Sequence, residues 1–239
     1  MRALFIVGLL FFANAAQAQD ITLQLGGGES IASRSMLMIA AITLLSLAPG
    51  LAIMVTCFPF IVTVLSILRQ ALGLQQSPPN MLIVSLALFL TWFIMEPVFL
   101  ESWQAGISPL VEGSLDLQTA FLRGIAPFRD FMASRTNPDT FSALLALKPE
   151  AEFAGSLPEA PLSMLVPSFM LSEISRAFEI GFLVFLPFLI IDLVVSAVLM
   201  SMGMMMVPPA IVALPFKLAF FVVADGWVLI SGALVRGYL

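Results

Sequence analysis

The stretch Leu186-Pro-Phe-Leu-Ile-Ile-Asp192-Leu-Val-Val-Ser-Ala-Val-Leu-Met200-Ser-Met202-Gly-Met204-Met205-Met206-Val-Pro208-Pro209-Ala-Ile-Val-Ala-Leu-Pro-Phe-Lys217 decides the fold. It is two apolar arms joined by a methionine run, and each arm carries one full charge. If the chain reverses at the run, the midpoint between positions 192 and 217 falls between Met204 and Met205, so the two charges lie level. A lone carboxylate or ammonium is costly in hydrocarbon, whereas the two together are tolerable as a pair. The whole segment from Phe182 to Leu234 therefore reads as an antiparallel helical hairpin with a tip of soft, deformable thioethers. A buried ion pair beneath a plastic tip suggests a gate.

Composition places the rest of the chain in the same solvent. Of its 239 residues, 60% are hydrophobic and 10% charged, with a mean hydropathy of +1.07. That excludes an ordinary soluble domain, and several uncharged runs are long enough to cross a hydrocarbon core of about 30 Å. Histidine is absent and Cys57 is the one cysteine, so an intrachain disulfide and a Cys/His metal site are both excluded. Cys57 sits in an apolar run and reads as a small inert hydrophobe.

The first residues read as a processing signal. Arg2 supplies a positive start, Leu4 to Phe12 a short apolar core, and Ala16-Gln17-Ala18 a small-x-small cleavage site after Ala18. The chain then organises as residues 1–18 signal peptide, 19–35 flexible lead with Gly26-Gly27-Gly28, 36–100 first hydrophobic hairpin, 101–180 polar segment, and 181–239 second hydrophobic hairpin. Within the first hairpin, the uncharged run Met36 to Leu68 would be about 50 Å long as one straight helix. Pro49-Gly50 and Pro59 are expected to divide it. Arg69 to Asn80 is a polar loop with breakers, Met81 to Leu100 a second span, and the third and fourth spans fall near 181–203 and 208–231. The fold class is all-α: about four long apolar helical segments, some kinked or broken, with a small helical polar segment.

A cleaved signal puts the mature N-terminus and residues 101–180 outside the cytoplasm, and the loop at 69–80 and the Met tip inside. The positive-inside rule supports this weakly through Arg69. Losing Arg2 leaves nine basic against fifteen acidic residues, a formal charge of 9 − 15 = −6. That acidity argues against nucleic acid and against a polybasic lipid anchor.

In the polar segment, Phe121, Ile125, Phe128 and Met132 fall at helical spacing and make one apolar face, with Arg123, Arg129 and Asp130 opposite. Ser168 to Glu179 reads as a second helix carrying Glu173, Arg176 and Glu179 at i, i+3 and i+6, a solvated face or a subunit contact.

The sequence lacks a nucleotide loop, a dinucleotide fingerprint and a serine elbow, and without histidine most acid–base machinery is missing. An intramembrane aspartyl protease built from Asp192 and Asp225 fails on register, because the two carboxylates would stand about 12 Å apart along the axis. Two readings of the Asp192–Lys217 pair remain open, a structural pair that fixes hairpin register and an element of a proton or ion path. The methionines are likewise either filler between helices or a constriction.

Long strings carry a resemblance. Val64-Leu-Ser-Ile-Leu-Arg69-Gln-Ala-Leu-Gly73-Leu-Gln-Gln76-Ser-Pro-Pro-Asn80, Leu86-Ala-Leu-Phe-Leu90, Leu186-Pro-Phe-Leu-Ile-Ile-Asp192-Leu-Val-Val195, Ser201-Met-Gly-Met-Met-Met206, Leu214-Pro-Phe-Lys217-Leu and Asp225-Gly-Trp227 resemble the FliP family, the P subunit of the flagellar type III export gate. Weaker matches at Gly124 to Met132 and Phe178 to Phe182 extend the likeness over nearly the whole mature chain. The resemblance implies a non-enzymatic channel subunit without a cofactor. Its partners would be further copies of itself as a pentamer, Q-type and R-type subunits, then B-type and A-type export proteins, with membrane lipid around it and unfolded flagellar proteins passing through. The place implied is the bacterial inner membrane and the flagellar basal body, with residues 101–180 periplasmic. It also implies that Met204, Met205 and Met206, flanked by Met200 and Met202, form a gasket closing the pore, and that Asp192 and Lys217 are buried charges near subunit contacts. Glu173, Arg176, Arg129, Phe128 and Asp225 are the remaining candidates for subunit contact.

Members of the family it resembles usually carry Thr-Arg where this chain has Pro59-Phe60, which bears on helix continuity around residues 56–62. Trp92 and Glu96-Pro97 also vary from the commoner Phe and Ser-Pro pattern. The near alternative is the equivalent subunit of a virulence injectisome. A different class is an ion-coupled transporter using Asp192; a level Lys217 and the lack of an inverted repeat stand against it.

Overall fold

The computed structural model describes residues 31–74, 77–148, 153, 155–204 and 206–238. The signal segment with Ala18, most of the lead and Met205 lie outside these residues. Two compact units divide the chain, Met1–Leu47 and Ala48–Leu239. Among the described residues there is helix and no strand. In chain order the α-helices are α1 (Ile31–Met54), α2 (Phe58–Ala71), α3 (Asn80–Ser102), α4 (Ser108–Val111), α5 (Leu117–Arg135), α6 (Pro138–Ala146), α7 (Leu162–Ser201), α8 (Pro209–Val223) and α9 (Gly226–Arg236). A π-turn, Trp103–Ile107, joins α3 to α4, and a 3₁₀ turn, Leu157–Glu159, precedes α7.

The first long run breaks once, at Val55 to Cys57. Helix α1 continues through Pro49-Gly50, where a division was expected, and stops at Met54. Apolar helices tolerate an interior proline where neighbouring groups or a small local adjustment re-satisfy the carbonyl it frees. At the break, the Thr56 hydroxyl donates to Ile53 O at 2.8 Å and accepts from Phe58 N at 3.3 Å. Pro59 then occupies the first turn of α2, where its missing N–H costs nothing. The neighbouring departure from the family pattern is a packing residue: Phe60 is buried and meets Tyr238 edge-on, centroids 5.5 Å apart.

Among the described residues, two helices are long and apolar enough to cross a membrane, residues 80–111 and Leu162–Ser201, or three spans if α8 and α9 count as one. The second of these differs from expectation. The helix at 168–179 and the span at 181–203 are one 40-residue rod, α7, with Pro167 and Pro187 inside it. At 1.5 Å per residue it is about 60 Å long, roughly twice a bilayer's hydrocarbon thickness. The expected fourth span is in turn two helices bent by 62°.

Two cores stack along α7. The first is apolar and draws on α2, α3, α7, α8 and α9 around Ile61, Leu65, Leu68, Met95 and Phe188. The second lies in the polar segment around Met132, Phe141, Leu165 and Phe169. The face at Phe121, Ile125, Phe128 and Met132 grades from exposed at Phe121 to fully buried at Met132. The outward surfaces of the long helices stay apolar and exposed, at Leu82, Phe89, Phe93, Phe182, Ile190 and Leu193 among others.

Candidate functional site

The hairpin tip is built by a glycine. Helix α7 ends at Ser201 with Met202 as its C-cap, and Gly203 takes a left-handed φ of 75°. Gly203 N donates to Met200 O at 3.0 Å and Met204 N to Leu199 O at 3.0 Å. These are the two bonds of a Schellman ending, which a residue with a Cβ disfavours at the left-handed position. Val207 N returns to Met204 O, and Pro208-Pro209 start α8, where a proline needs no donor. The chain thus reverses within six residues, 202–207, and the turn pushes thioethers outward. Met206 is 97% exposed, and Met200, Met202 and Met204 are exposed as well. Below them an apolar groove of about 560 Å³ opens between the arms, lined by Ile190, Val194, Val198, Met202, Met204 and Phe216 among others.

About 15 Å down the arms from Met202, Lys217 Nζ donates to Asp192 Oδ2 at 2.6 Å. It also donates to Ala71 O at 3.0 Å. Ala71 is the last residue of α2, so one ammonium joins a carboxylate on α7 to an unsatisfied carbonyl at the negative end of α2. Lys217 is 7% and Asp192 32% exposed in their side chains. Asp192 Oδ1 is enclosed and has no hydrogen-bond partner among the described residues.

A second charged cluster was not expected. Glu173 is fully buried rather than on a solvated face. It accepts from Arg135 Nε at 3.4 Å and from the hydroxyl of Tyr238. Arg135 stacks over the Tyr238 ring, 4.1 Å from its centroid, and donates from Nη1 to Gly237 O at 3.0 Å. Burial first, and then the Glu173 charge, hold the Tyr238 hydroxyl well above its usual range, so it remains a donor. The C-terminal tail is thereby pinned to α5 and α7. Helical spacing on α7 alone could not show this, since the partners lie 38 and 65 residues away. The available signal was compositional: Tyr238 is the only tyrosine.

The other candidates fall singly. Arg176 is exposed, with no hydrogen bond or ion pair among the described residues. Arg129 is half-buried and clamps the loop before α7, Nε to Pro158 O at 3.0 Å and Nη2 to Ala160 O. Phe128 packs edge-on against Phe99 at 5.7 Å. Asp225 is exposed at a left-handed φ of 51° and turns the chain between α8 and α9. Beside it, a Cβ on Gly226 would lie 2.2 Å from the Phe221 ring, which in turn meets Trp227 edge-on. The Asp225-Gly-Trp227 string is therefore the geometry of a bend. Among the described residues, no three His, Cys, Asp or Glu side chains stand together as a metal site.

The chain is similar to known proteins over most of its length. A family model described as the FliP family matches residues 41–234. The flagellar biosynthetic protein FliP of Caulobacter vibrioides is 49% identical over 227 residues, 94% of this chain and 84% of that protein. The protein of the same name from Rhizobium meliloti is 42% identical over 241 residues, covering 99% and 98%. That of Bacillus subtilis is 43% identical over 214 residues, covering 88% and 94%.

Proposed function

Because the chain belongs to the FliP family, we propose that it is a membrane subunit of the flagellar protein-export apparatus and that its methionine turn closes an export pore. The observation that carries the pore reading is the turn itself. A Schellman ending and a proline pair hold a thioether cluster at the tip of an apolar hairpin, with Met206 almost wholly exposed. Inside one chain these side chains cover little. Several copies brought around an axis would let them seal against one another, and their flexible, polarisable character would let them part around varied unfolded chains.

The exposed apolar faces of α3, α7 and α8 supply surface for second copies, for Q-type and R-type subunits and for lipid, with B-type and A-type export proteins beyond. Residues 101–180 stand on the periplasmic side of the inner membrane. The Asp192–Lys217 pair, locked also to Ala71 O, supports a structural role rather than an ion path, and catalysis is not part of the reading.

The test replaces Met202, Met204, Met205 and Met206 with serine in cells that assemble the whole apparatus. Small-ion leak across the inner membrane should rise while flagellar export continues. A complex that assembles normally and leaks no more than wild type removes the gasket.

A further inference from the structure

Two cavities meet on the face of α7 that carries Ser172, Arg176, Glu179, Ile180 and Val184. These positions, at i, i+4, i+7, i+8 and i+12, form one stripe of the helix. The first cavity, about 420 Å³, is polar and is lined by Arg135, Asn137, Thr140, Ser175, Arg176 and Glu179. The second, about 180 Å³, is apolar apart from its mouth and lies between Val64 of α2, Val184 of α7 and Leu229, Ile230 and Ala233 of α9. Arg135, Arg176 and Ile180 border both. From Arg176 to Val184 the stripe runs about 12 Å, polar at one end and apolar at the other.

One donor beside the polar end is unpaired. Arg135 Nη2 is enclosed and has no partner among the described residues, although the same guanidinium bonds Glu173 and Gly237. Arg176 contributes a second cation, and Thr140 and Ser175 offer hydroxyls. Glu179 adds a single carboxylate at the same rim. Two guanidiniums and one carboxylate around a cavity that continues into an apolar cleft make a surface for an amphiphile carrying an anion, a cation and a hydrocarbon chain.

We propose that this double cleft holds one aminophospholipid. Its phosphodiester sits on the exposed guanidinium of Arg176 at the border of the two cavities, its ammonium on Glu179, and the first part of one acyl chain between α2, α7 and α9. Guanidinium forks suit a phosphate diester. A cleft near 180 Å³ takes only a short length of chain, on the order of six to eight carbons, since a cavity of about 150 Å³ takes benzene. The rest would lie along the exposed apolar helix surface. The site is independent of how the methionine turn works.

The test uses the full-length chain, extracted in detergent, stripped of lipid and supplied with synthetic dioleoyl lipids, with retained lipid counted by native mass spectrometry. Phosphatidylethanolamine should be retained about tenfold over phosphatidylcholine, whose quaternary amine cannot donate to Glu179, and over phosphatidylglycerol, which has no amine. Arg176→Gln should lower phosphatidylethanolamine retention about tenfold; Arg176 has no bond within the described residues, so the fold should survive the change. Glu179→Gln should abolish the preference over phosphatidylglycerol. Acyl-free glycerophosphoethanolamine should not compete. Equal retention of all three lipids, indifferent to both variants, would mean ordinary annular lipid and overturn the proposal. Competition by the acyl-free headgroup would make the site a small-anion pocket, which overturns it as well. So would crosslinking from Arg176→Cys to a protein segment that excludes lipid, since the cleft would then be a protein interface.

Discussion

Gly106 and Gly124 face each other where the π-turn after α3 crosses α5, and the structure assigns them opposite tolerances. A Cβ on Gly106 would lie 2.6 Å from Ala120 O, 2.8 Å from Gly124 Cα and 2.9 Å from Gly124 N. All three are backbone atoms, so no rotamer change relieves the overlap and the two helical segments must separate. Overpacking of this kind costs up to about 3 kcal/mol, against about 1 kcal/mol gained by removing a helical glycine. Gly106→Ala should therefore destabilise the protein by about 2 kcal/mol. A Cβ on Gly124 meets Gly106 Cα and Ser102 Oγ at 3.7 Å, ordinary contact. Gly124→Ala should then be neutral or stabilising, by up to about 1 kcal/mol. The separation of the segments should also break the bond from Ser102 Oγ to Gly124 O, now 2.6 Å. Dodecyl sulfate titration of the detergent-solubilised protein, followed by far-ultraviolet circular dichroism and by the fluorescence of nearby Trp103, reads both variants. Equal shifts for the two alanines, within about 0.5 kcal/mol, would refute the reasoning, because only the close approach distinguishes them.

Glu173→Ala should cost about 3–5 kcal/mol by leaving Arg135 and the Tyr238 hydroxyl buried and unpaired, with Glu173→Gln milder; protease sensitivity of the C-terminal tail checks the release of Tyr238. Lys217→Met should impair assembly of the membrane complex by stranding Asp192 and the Ala71 carbonyl, and adding Asp192→Leu should recover part of the loss, as co-purification of subunits would show. Normal assembly of the single variant would contradict this. Gly203→Ala has open space around its Cβ, so its cost is purely conformational, about 1–2 kcal/mol, and should be seen as faster amide exchange at Met204 without change in the cores. At α5, the Thr119 hydroxyl and then its N–H hold the Asp116 carboxyl below the ordinary range. A depressed folded value means the cap is at full strength above the unfolded carboxyl's pKa and fades as pH falls through the folded one; protection of the Thr119 amide should drop in that acid window, and in Asp116→Asn it should not.

The all-helical class, the apolar hairpin and its tip follow from local chain physics. Uncharged runs of this length have few ways to satisfy their backbone in hydrocarbon except as helices. The level placement of Asp192 and Lys217 is a matter of counting residues away from a tight turn, and Gly203 ahead of Pro208-Pro209 marks where that turn must be. Tertiary structure decided what counting cannot reach. Glycine spacing looks alike at Gly106 and Gly124, yet only at Gly106 would a Cβ overlap a foreign backbone. Proline alone marks breaks at both Pro49 and Pro59, yet the chain parts only beside Pro59, where the Thr56 hydroxyl accepts from Phe58 N at the start of α2. Arg176 and Glu179 stand on α7 as helical spacing suggests, whereas Glu173 on the same helix is buried by an arginine and a tyrosine brought from far along the chain. Helical period fixes which residues share a face, but what that face meets depends on long-range packing, and no local pattern encodes the partner.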